Sequence, residues 1–239
     1  MRTHEKVLAS IESDLAAGRW ALGERLPAER ALAEELGVSR PSVREAIRIL
    51  EAMGIIRTAV GSGPDAGATV VDRPAAGLGA AVRLHVASGT LPVHDVVATR
   101  VALESWAVRE AADAADGAGA GDADGGAAAE ADRLVREMSV PGLAVDTFVR
   151  LDQDFHLAIA RRAGNQLVEA ILTGLRSAVH DYVARGIDGL PSWPDTAHRL
   201  CAEHRQILEA VTAGDADGAE RATRDHILGF YRETGFGAG

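Results

Sequence analysis

Four side chains in the C-terminal part of the chain have the types and spacing of metal ligands. Asp152 and His156 lie four residues apart in "LDQDFH", so on a helix they share one face. His204 and His226 lie on consecutive predicted helices, at equal distances along the chain from residue 215, where the chain turns at "AGDAD". In an antiparallel helix pair these two imidazoles stand side by side, roughly 16 Å from the turn at about 1.5 Å per residue.

Three neutral imidazole nitrogens and one carboxylate are a donor set for a divalent transition-metal ion. Such a set leaves one or two coordination positions open for water or for the carboxylate of a ligand. We expect Zn²⁺, with Ni²⁺ and Mn²⁺ as alternatives. The other interpretation is that His156, His204 and His226 are unrelated core or surface residues, and the spacing alone supports both equally.

A second set of charged side chains lies in "LGVSRPSVREAIRILEAMG", residues 36–54, where Arg40, Arg44 and Arg48 recur at intervals of four. At about 100° per residue they fall within an arc of roughly 80° on a helix, and the apolar residues take the other side. One face of this helix is therefore predicted to pack on a core, and the other to attract an anion. The alternative is that the arginines form ordinary solvated ion pairs with glutamates of the same helix.

The start of this helix has the chemistry of a phosphate-binding site. Ser39 suits the N-cap position, and only Gly37 and Val38 separate it from the preceding predicted helix, which indicates a helix-turn-helix. Backbone amides and an N-cap hydroxyl favour a phosphate. We therefore expect Ser39, Arg40 and Ser42 to contact the DNA backbone or base edges. Arg44, one turn further along, can make the bidentate contact with guanine that is the commonest specific readout.

Residues 1–71 are predicted to form a winged helix-turn-helix domain. Three amphipathic helices account for the first 56 residues. The β-branched segments "IIRTAV" and "TVV" then flank the turn-rich "GSGPDAGA", which predicts a two-stranded hairpin, the wing, beside the recognition helix. "DRPAAG", residues 72–77, is expected to be the linker to the second domain.

Residues 78–239 have a helical pattern almost throughout, which predicts an all-α bundle that carries the four candidate metal ligands. The low-complexity segment of Ala, Gly and Asp at residues 113–126 is interpreted as a loop between helices. The fold class is therefore mostly α, with a small two-stranded wing. To within a few residues, we place the helices of this domain near 78–88, 93–115, 127–138, 142–163, 166–186, 195–213 and 216–232.

Composition narrows the class of protein. A chain of 239 residues with 47% hydrophobic content can bury one large core or two smaller ones. No apolar stretch approaches the roughly 20 residues of a membrane span, and the single cysteine, Cys201, excludes an intramolecular disulfide framework, so we expect a cytoplasmic protein. The formal net charge is -10, but residues 1–60 hold nine basic and nine acidic residues. DNA binding is therefore not excluded, because charges beyond about 10 Å are screened.

The segment "LGERLPAERALAEELGVSRPSVREAIRILEAMGII" resembles the GntR superfamily of winged helix-turn-helix regulators. It follows "G-x-x-L-P-x-E-R-x-L-A-x-x-L-G-V-S-R-x-x-V-R-E-A-x-x-x-L-x-x-x-G" without a gap. The resemblance implies that Arg30, Ser39, Arg40 and Arg44 contact DNA, with Arg30 reaching a phosphate. The wing differs from the usual basic form of this family, because "AVGSGPDAGA" has Gly61 and Gly63 but no Lys or Arg, and it contains an aspartate. Whether the wing contacts DNA stays open.

Three segments of the second domain resemble the FCD effector domain of FadR-type GntR regulators. They are "TRVALESWAVREAA", "LDQDFHLAIARRAGNQLV" and "EHRQILEAVTAGDADGAERATRDHI". In metal-binding members the matching residues are the ligands, which implies that Asp152, His156, His204 and His226 bind the metal. The resemblance also implies that Arg100 faces the cavity and pairs with an anionic effector, although a structural ion pair with Glu104 explains it nearly as well.

Several neighbouring residues have less specific interpretations. We expect Asp154 and Glu203 to be solvated, and neither His180 nor His198 to be a ligand. Cys201 is expected to be a small buried apolar side chain. Asn165 is expected to be a helix N-cap.

The leading hypothesis is a non-enzymatic, homodimeric transcriptional regulator that binds a palindromic DNA operator. By analogy with the family, a small carboxylate effector would bind near the metal and release DNA, which favours repression over activation. Two alternatives stay open. One is a metal-dependent hydrolase in which Asp154 acts as base on a metal-bound water. The other is a regulator that senses the metal alone.

Overall fold

The computed structural model describes residues 3–59, 67–71, 74–116 and 126–235. The chain divides into two compact units, Met1–Leu78 and Gly79–Gly239. The described residues contain ten helices and one two-stranded sheet, so the expected mostly α fold with a small wing is confirmed. Among the described residues, no helix has the length and hydropathy needed to cross a membrane.

Three helices of the N-terminal unit pack around a small apolar core. They are α1 (Thr3–Ala16), α2 (Glu29–Leu36) and α3 (Arg40–Ala52). Gly37 ends α2 with a left-handed backbone conformation, φ 64°, and Ser39 begins α3 by accepting a hydrogen bond from the Ser42 amide. The turn between α2 and α3 needs only residues 37–39, because each of these caps satisfies backbone groups that a helix end leaves unpaired. The core of this unit includes Val7, Ile11, Leu32, Val43 and Ile56.

The wing is an antiparallel hairpin of β1 (Ile56–Ala59) and β2 (Gly67–Val70). Its register pairs Ile56 with Val70. An isolated antiparallel bridge between Arg25 and Thr69 joins the segment before α2 to strand β2. Ala68 and Val70 point into the core, as period-two alternation requires. Gly61, Gly63 and Asp65, on which the interpretation of the wing tip rested, lie outside the described residues.

The C-terminal unit is built from seven helices, the number predicted from the sequence. One boundary differs, because α4 begins at Pro74 and residues 74–77 of the expected linker are helical. Proline suits the first turn of a helix, since its fixed φ matches and its missing amide proton is not needed there. The helices are α4 (Pro74–Ala87), α5 (Val93–Asp116), α6 (Gly126–Met138), α7 (Val145–Arg162), α8 (Gln166–Asp188), α9 (Trp193–Thr212) and α10 (Ala216–Glu233).

Helix α7 is the centre of this unit. Phe155, at mid-helix, is fully buried, and its ring lies 4.6 Å from that of His204 on α9, measured between centroids. Cys201 is buried in the same core, as expected. Asn165 caps α8 by accepting hydrogen bonds from two backbone amides, which confirms that assignment. The apolar packing of α7 against its neighbours therefore fixes the height at which the side chains of α7 and α9 meet.

Replacing Phe155 tests this packing. Phe155→Ala removes a fully buried ring and leaves a cavity, so we expect the free energy of unfolding to fall by about 3–5 kcal/mol. Urea denaturation without added metal measures the change. Leu167→Ala is the control, since Leu167 is 64% exposed and its loss should change stability by less than about 0.5 kcal/mol. A loss below about 1 kcal/mol for Phe155→Ala would contradict the central position of this ring.

Candidate metal centre and DNA-reading helix

The structure brings the four predicted metal ligands together. Helix α7 supplies Asp152 and His156, α9 supplies His204 and α10 supplies His226. Their ligand atoms all lie within 4.8 Å of one another, and the three histidines are buried. The rings of His204 and His226 lie 4.5 Å apart, in agreement with the matched heights derived from the turn at residue 215.

The distances between donor atoms are those of ligands around one ion. His156 Nε2 lies 3.2 Å from His226 Nε2, and His204 Nε2 lies 3.1 Å from Asp152 Oδ1. The same carboxylate oxygen is 3.8 Å from His156 Nε2 and 4.0 Å from His226 Nε2. Atoms bonded to one transition metal at about 2.0–2.2 Å stand roughly 3–4 Å from each other, so the residues present fit such an ion.

Two glutamates orient two of the histidines. Glu104 Oε2 lies 2.9 Å from His156 Nδ1, and Glu203 Oε2 lies 2.8 Å from His226 Nδ1. A carboxylate accepts a hydrogen bond from Nδ1–H, which leaves Nε2 as the nitrogen without a proton. The unprotonated Nε2 atoms of His156 and His226 then lie 3.2 Å apart. Their lone pairs repel unless a proton or a metal cation lies between them.

His204 supports the same conclusion independently. Its side chain is fully buried, and neither ring nitrogen has a hydrogen-bond partner among the described residues. Nε2 is close to Asp152 Oδ1 but not aligned for a hydrogen bond. A buried polar atom without a partner costs about 1–3 kcal/mol, and coordination of a metal would satisfy Nε2.

Electrostatics keep the ligands in the forms that a metal requires. Burial opposes the charge of Asp152, but the close approach of His204 and the charge of Arg176 hold the pKa of Asp152 well below its ordinary value. Burial and the nearby Arg176 charge lower the pKa of His156 to about 3. Burial likewise lowers the pKa of His204. At neutral pH Asp152 is therefore a carboxylate and the imidazoles of His156 and His204 are neutral, which are the forms that bind a cation.

Arg176 on α8 is a site residue that the sequence analysis missed. It is 3% exposed, donates to Glu104 Oε2 at 2.7 Å and reaches Asp152 Oδ2 at 3.5 Å. The one signal in the sequence is an arginine inside the apolar run "AILTGLRSAV", where a charge must find a buried partner. Sequence alone cannot name those partners, because they lie on α5 and α7.

Arg100 on α5 is buried and engaged. It donates to Glu104 Oε1 at 3.1 Å and to the Tyr231 hydroxyl at 2.8 Å. The ion pair considered as an alternative is therefore present. Burial opposes ionisation of Glu104, but the charges of Arg176 and Arg100 hold its pKa well below the ordinary value.

A cavity opens beside the four ligands. Its empty volume is about 550 Å³, and part of this space is open to solvent. Arg100 and Arg176 both line it, together with Asp152, His156 and His226. Aromatic and aliphatic side chains make up much of the rest of the wall, including Phe148, Trp193, Ile227, Phe230 and Tyr231.

One neighbouring residue corrects the sequence analysis. Glu203 was expected to be solvated, but its side chain is 25% exposed and contacts both His226 and Arg199. Asp154 is half exposed, as expected, and lies 3.8 Å from Arg150. His180 and His198 are exposed and lie outside the ligand group.

The predicted DNA-contacting residues cluster at the start of α3 and on α2. Ser39 and Arg40 are exposed, and Ser42 is partly buried. Arg30 on α2 is 78% exposed and lies 3.8 Å from Glu34. Arg44 is half exposed and is paired with a glutamate of α2 rather than with one of its own helix. Arg48 lies 4.0 Å from Glu45 of the same helix, and both side chains are exposed. Arg48 therefore fits the alternative interpretation of a solvated ion pair within α3.

A helix-turn-helix with a wing, followed by an all-helical unit with a cavity, is the architecture of a class of DNA-binding transcriptional regulators. Two family models match the chain: "Bacterial regulatory proteins, gntR family" over residues 3–64, and "FCD domain" over residues 95–229. The chain belongs to the GntR family of bacterial transcriptional regulators, with an FCD domain as its C-terminal part. The resemblance to the FadR-type branch is thereby confirmed.

Relatives agree with this assignment over most of the chain. The chain is similar to the Glc operon transcriptional activator of Escherichia coli K12, at 29% identity over 93% of this chain and 85% of that protein. It is 28% identical to the HTH-type transcriptional repressor NanR of Citrobacter rodentium, over 93% of this chain and 82% of that protein. These relatives are regulators rather than enzymes, so the hydrolase alternative is set aside.

A solved structure shows the same fold. Streptococcus agalactiae GntR aligns with a TM-score of 0.65 at 22% identity, covering 96% of this chain and 99% of that one. At this identity the comparison shows the architecture of the chain and does not extend to its ligands.

The stability of the metal-free protein should depend on His156 between pH 6 and pH 5. The unfolded chain binds a proton at this residue below about pH 6.5, whereas the folded protein does so only near pH 3, so stability falls as pH falls through this window. In His156→Gln we expect the slope of unfolding free energy against pH to be smaller by roughly 1 kcal/mol per pH unit.

Urea denaturation in the presence of a chelator measures this slope. His198→Gln is the control, because it removes an exposed histidine that lies outside the ligand group. Equal slopes for wild type and His156→Gln would show that His156 is not held neutral in the folded protein.

Proposed function

We propose that this protein is a homodimeric repressor whose affinity for a palindromic operator is controlled by a small carboxylate bound beside a divalent metal. The observation that carries the proposal is the convergence of unprotonated histidine nitrogens and a carboxylate at the wall of a cavity. The proposed place of action is the cytoplasm, where a DNA-binding regulator meets its operator.

The proposed metal ligands are Asp152, His156, His204 and His226. Their donor types and mutual distances support this assignment, as do the two carboxylates that orient His156 and His226. Imidazole-rich sets suit Zn²⁺, which we propose, with Ni²⁺ and Mn²⁺ as alternatives. When bound, such an ion supplies a Lewis-acidic centre to which a ligand oxygen can bind.

The charges around the cavity favour an anionic effector. Two buried guanidinium groups, on Arg100 and Arg176, are balanced by the carboxylates of Glu104 and Asp152. A divalent cation adds two uncompensated positive charges in a place of low dielectric constant, where they strongly attract an anion. A carboxylate effector would neutralise this excess, with Arg100 and Arg176 as the side chains that hold it.

The proposed DNA contacts are made by Arg30, Ser39, Arg40, Ser42 and Arg44. The amides and hydroxyls at the start of α3 would bind phosphate, and Arg44 would read guanine. Repression is proposed over activation because release of DNA on effector binding is the simplest response. The names of the two relatives above include one activator and one repressor, so the choice between repression and activation requires its own test.

The proposal is tested by a thermal-shift screen of organic acids against zinc-loaded and metal-stripped protein. We expect at least one small carboxylate to raise the melting temperature only when metal is present, because it coordinates the ion. That acid should then weaken binding to DNA selected by the protein from a random-sequence library. Equal shifts without metal would place the effector elsewhere, and DNA release by metal alone would indicate a metal sensor.

Metal affinity tests the ligand assignment. His226→Gln removes a ligand nitrogen and should weaken zinc binding by more than about 100-fold. Glu203→Gln should weaken it by about 10- to 100-fold, because that glutamate acts through His226. Competition with a chromogenic chelator measures both.

The matched control is Glu209→Gln on α9, an exposed residue outside the ligand group, which should bind zinc as wild type does. Unchanged affinity in His226→Gln would mean that the protein binds zinc at another place.

A further inference from the structure

Arg44 on the recognition helix is held by a carboxylate of the preceding helix. Its Nε lies 3.2 Å from both carboxylate oxygens of Glu29, and its Nη2 lies 2.8 Å from Oε2. The hydrogen bonds and charge of Arg44 lower the pKa of Glu29, so this carboxylate is ionised at neutral pH. Glu29 is the first residue of α2, and the pair therefore joins the two helices of the helix-turn-helix.

A carboxylate in this position is unfavourable for DNA binding as such. It stands beside side chains proposed to meet phosphates, and like charges repel within the screening length of about 10 Å. Packing does not require it either, because Leu32 and Val43 already bury the contact between α2 and α3. An exposed ion pair adds little stability of its own.

The geometry of the pair indicates what Glu29 does. A guanidinium has five N–H groups on two edges, and Glu29 engages the edge formed by Nε and Nη2. The second edge, formed by Nη1 and Nη2, is the one that can donate to O6 and N7 of guanine. We propose that Glu29 is a specificity-determining residue that holds Arg44 in one orientation, with this second edge available to a base.

The inference rests on the proposed role of Arg44 as a base-reading residue. An arginine without this restraint has many rotamers and can bind any phosphate, which strengthens binding to every sequence equally. Fixing the side chain before binding removes that freedom and lowers the ordering cost of the correct contact. Glu29 thus lowers general affinity for DNA and raises discrimination between sequences.

The experiment compares full-length wild type with Glu29→Gln, which keeps the side-chain shape but removes the charge. Wild type first selects a preferred duplex from a random-sequence library. Fluorescence anisotropy at fixed salt then measures affinity for that duplex, for versions with each guanine replaced, and for an unrelated duplex. A good bidentate contact discriminates by about 5- to 100-fold. For Glu29→Gln we expect the ratio of affinities for the preferred duplex and for the duplex with one guanine replaced to fall by at least about 5-fold at one guanine position. We also expect tighter binding to the unrelated duplex.

Glu45→Gln is the matched control, because it removes the same charge from an exposed residue of α3 that does not contact Arg44. It should tighten binding to all duplexes without changing discrimination. Glu29→Asp keeps the charge but shortens the side chain, so it should lose discrimination without binding the unrelated duplex more tightly. In an Arg44→Lys background, Glu29→Gln should change discrimination no further.

The outcomes separate the inference from the proposed function. If wild type selects no preferred duplex, base reading by Arg44 fails and the inference fails with it. If wild type discriminates but Glu29→Gln behaves as Glu45→Gln does, the proposed function stands and the role of Glu29 is overturned. Thermal melts of every variant confirm that the compared proteins are folded.

Discussion

The C-terminal unit depends on one electrostatic constraint: imidazole nitrogens without protons converge where water is largely excluded. Glu104 and Glu203 accept the Nδ1 protons of His156 and His226, which turns the two Nε2 lone pairs toward each other at 3.2 Å. While both glutamates keep their hydrogen bonds, only a proton or a metal cation between the two Nε2 atoms removes this repulsion. The packing of α7, α9 and α10 around Phe155 supplies the free energy that holds these groups together.

The same constraint explains why a metal and an anion should favour each other's binding. Without a cation, the buried carboxylate of Glu104 and the partly buried carboxylate of Asp152 balance Arg100 and Arg176. The ion would draw Asp152 toward itself and leave Arg176 less well compensated. An anion in the adjoining cavity would restore that balance, so each ligand would lower the free energy of binding the other. Glu104 is central here, because it contacts His156, Arg176 and Arg100 at once.

Contacts that a local feature of the sequence determines could be predicted, whereas contacts between distant segments could not. The matched heights of His204 and His226 were predictable, because a single turn fixes both. Glu203 was misjudged, since a residue about 100° around the helix from His204 can face α10 as well as solvent, and only packing decides. Arg176 was missed because its partners lie 24 and 72 residues away in sequence. Glu29 was missed for the same reason, as its contact with Arg44 crosses between helices.

Arg176 also connects the site with the helix that leads toward the N-terminal unit along the chain. Helices α4 and α8 approach so closely that a Cβ atom added at Gly79 would lie 3.0 Å from the Gly174 Cα, and Val82 and Val86 pack with Leu175 beside it. Arg176 is the next residue of α8. A metal or anion that changes the partners of Arg176 therefore acts on the surface against which α4 rests. Coupling energies of about 1–3 kcal/mol change affinity by 5- to 150-fold, so the proposed control of DNA binding would require only a small displacement of tightly packed helices.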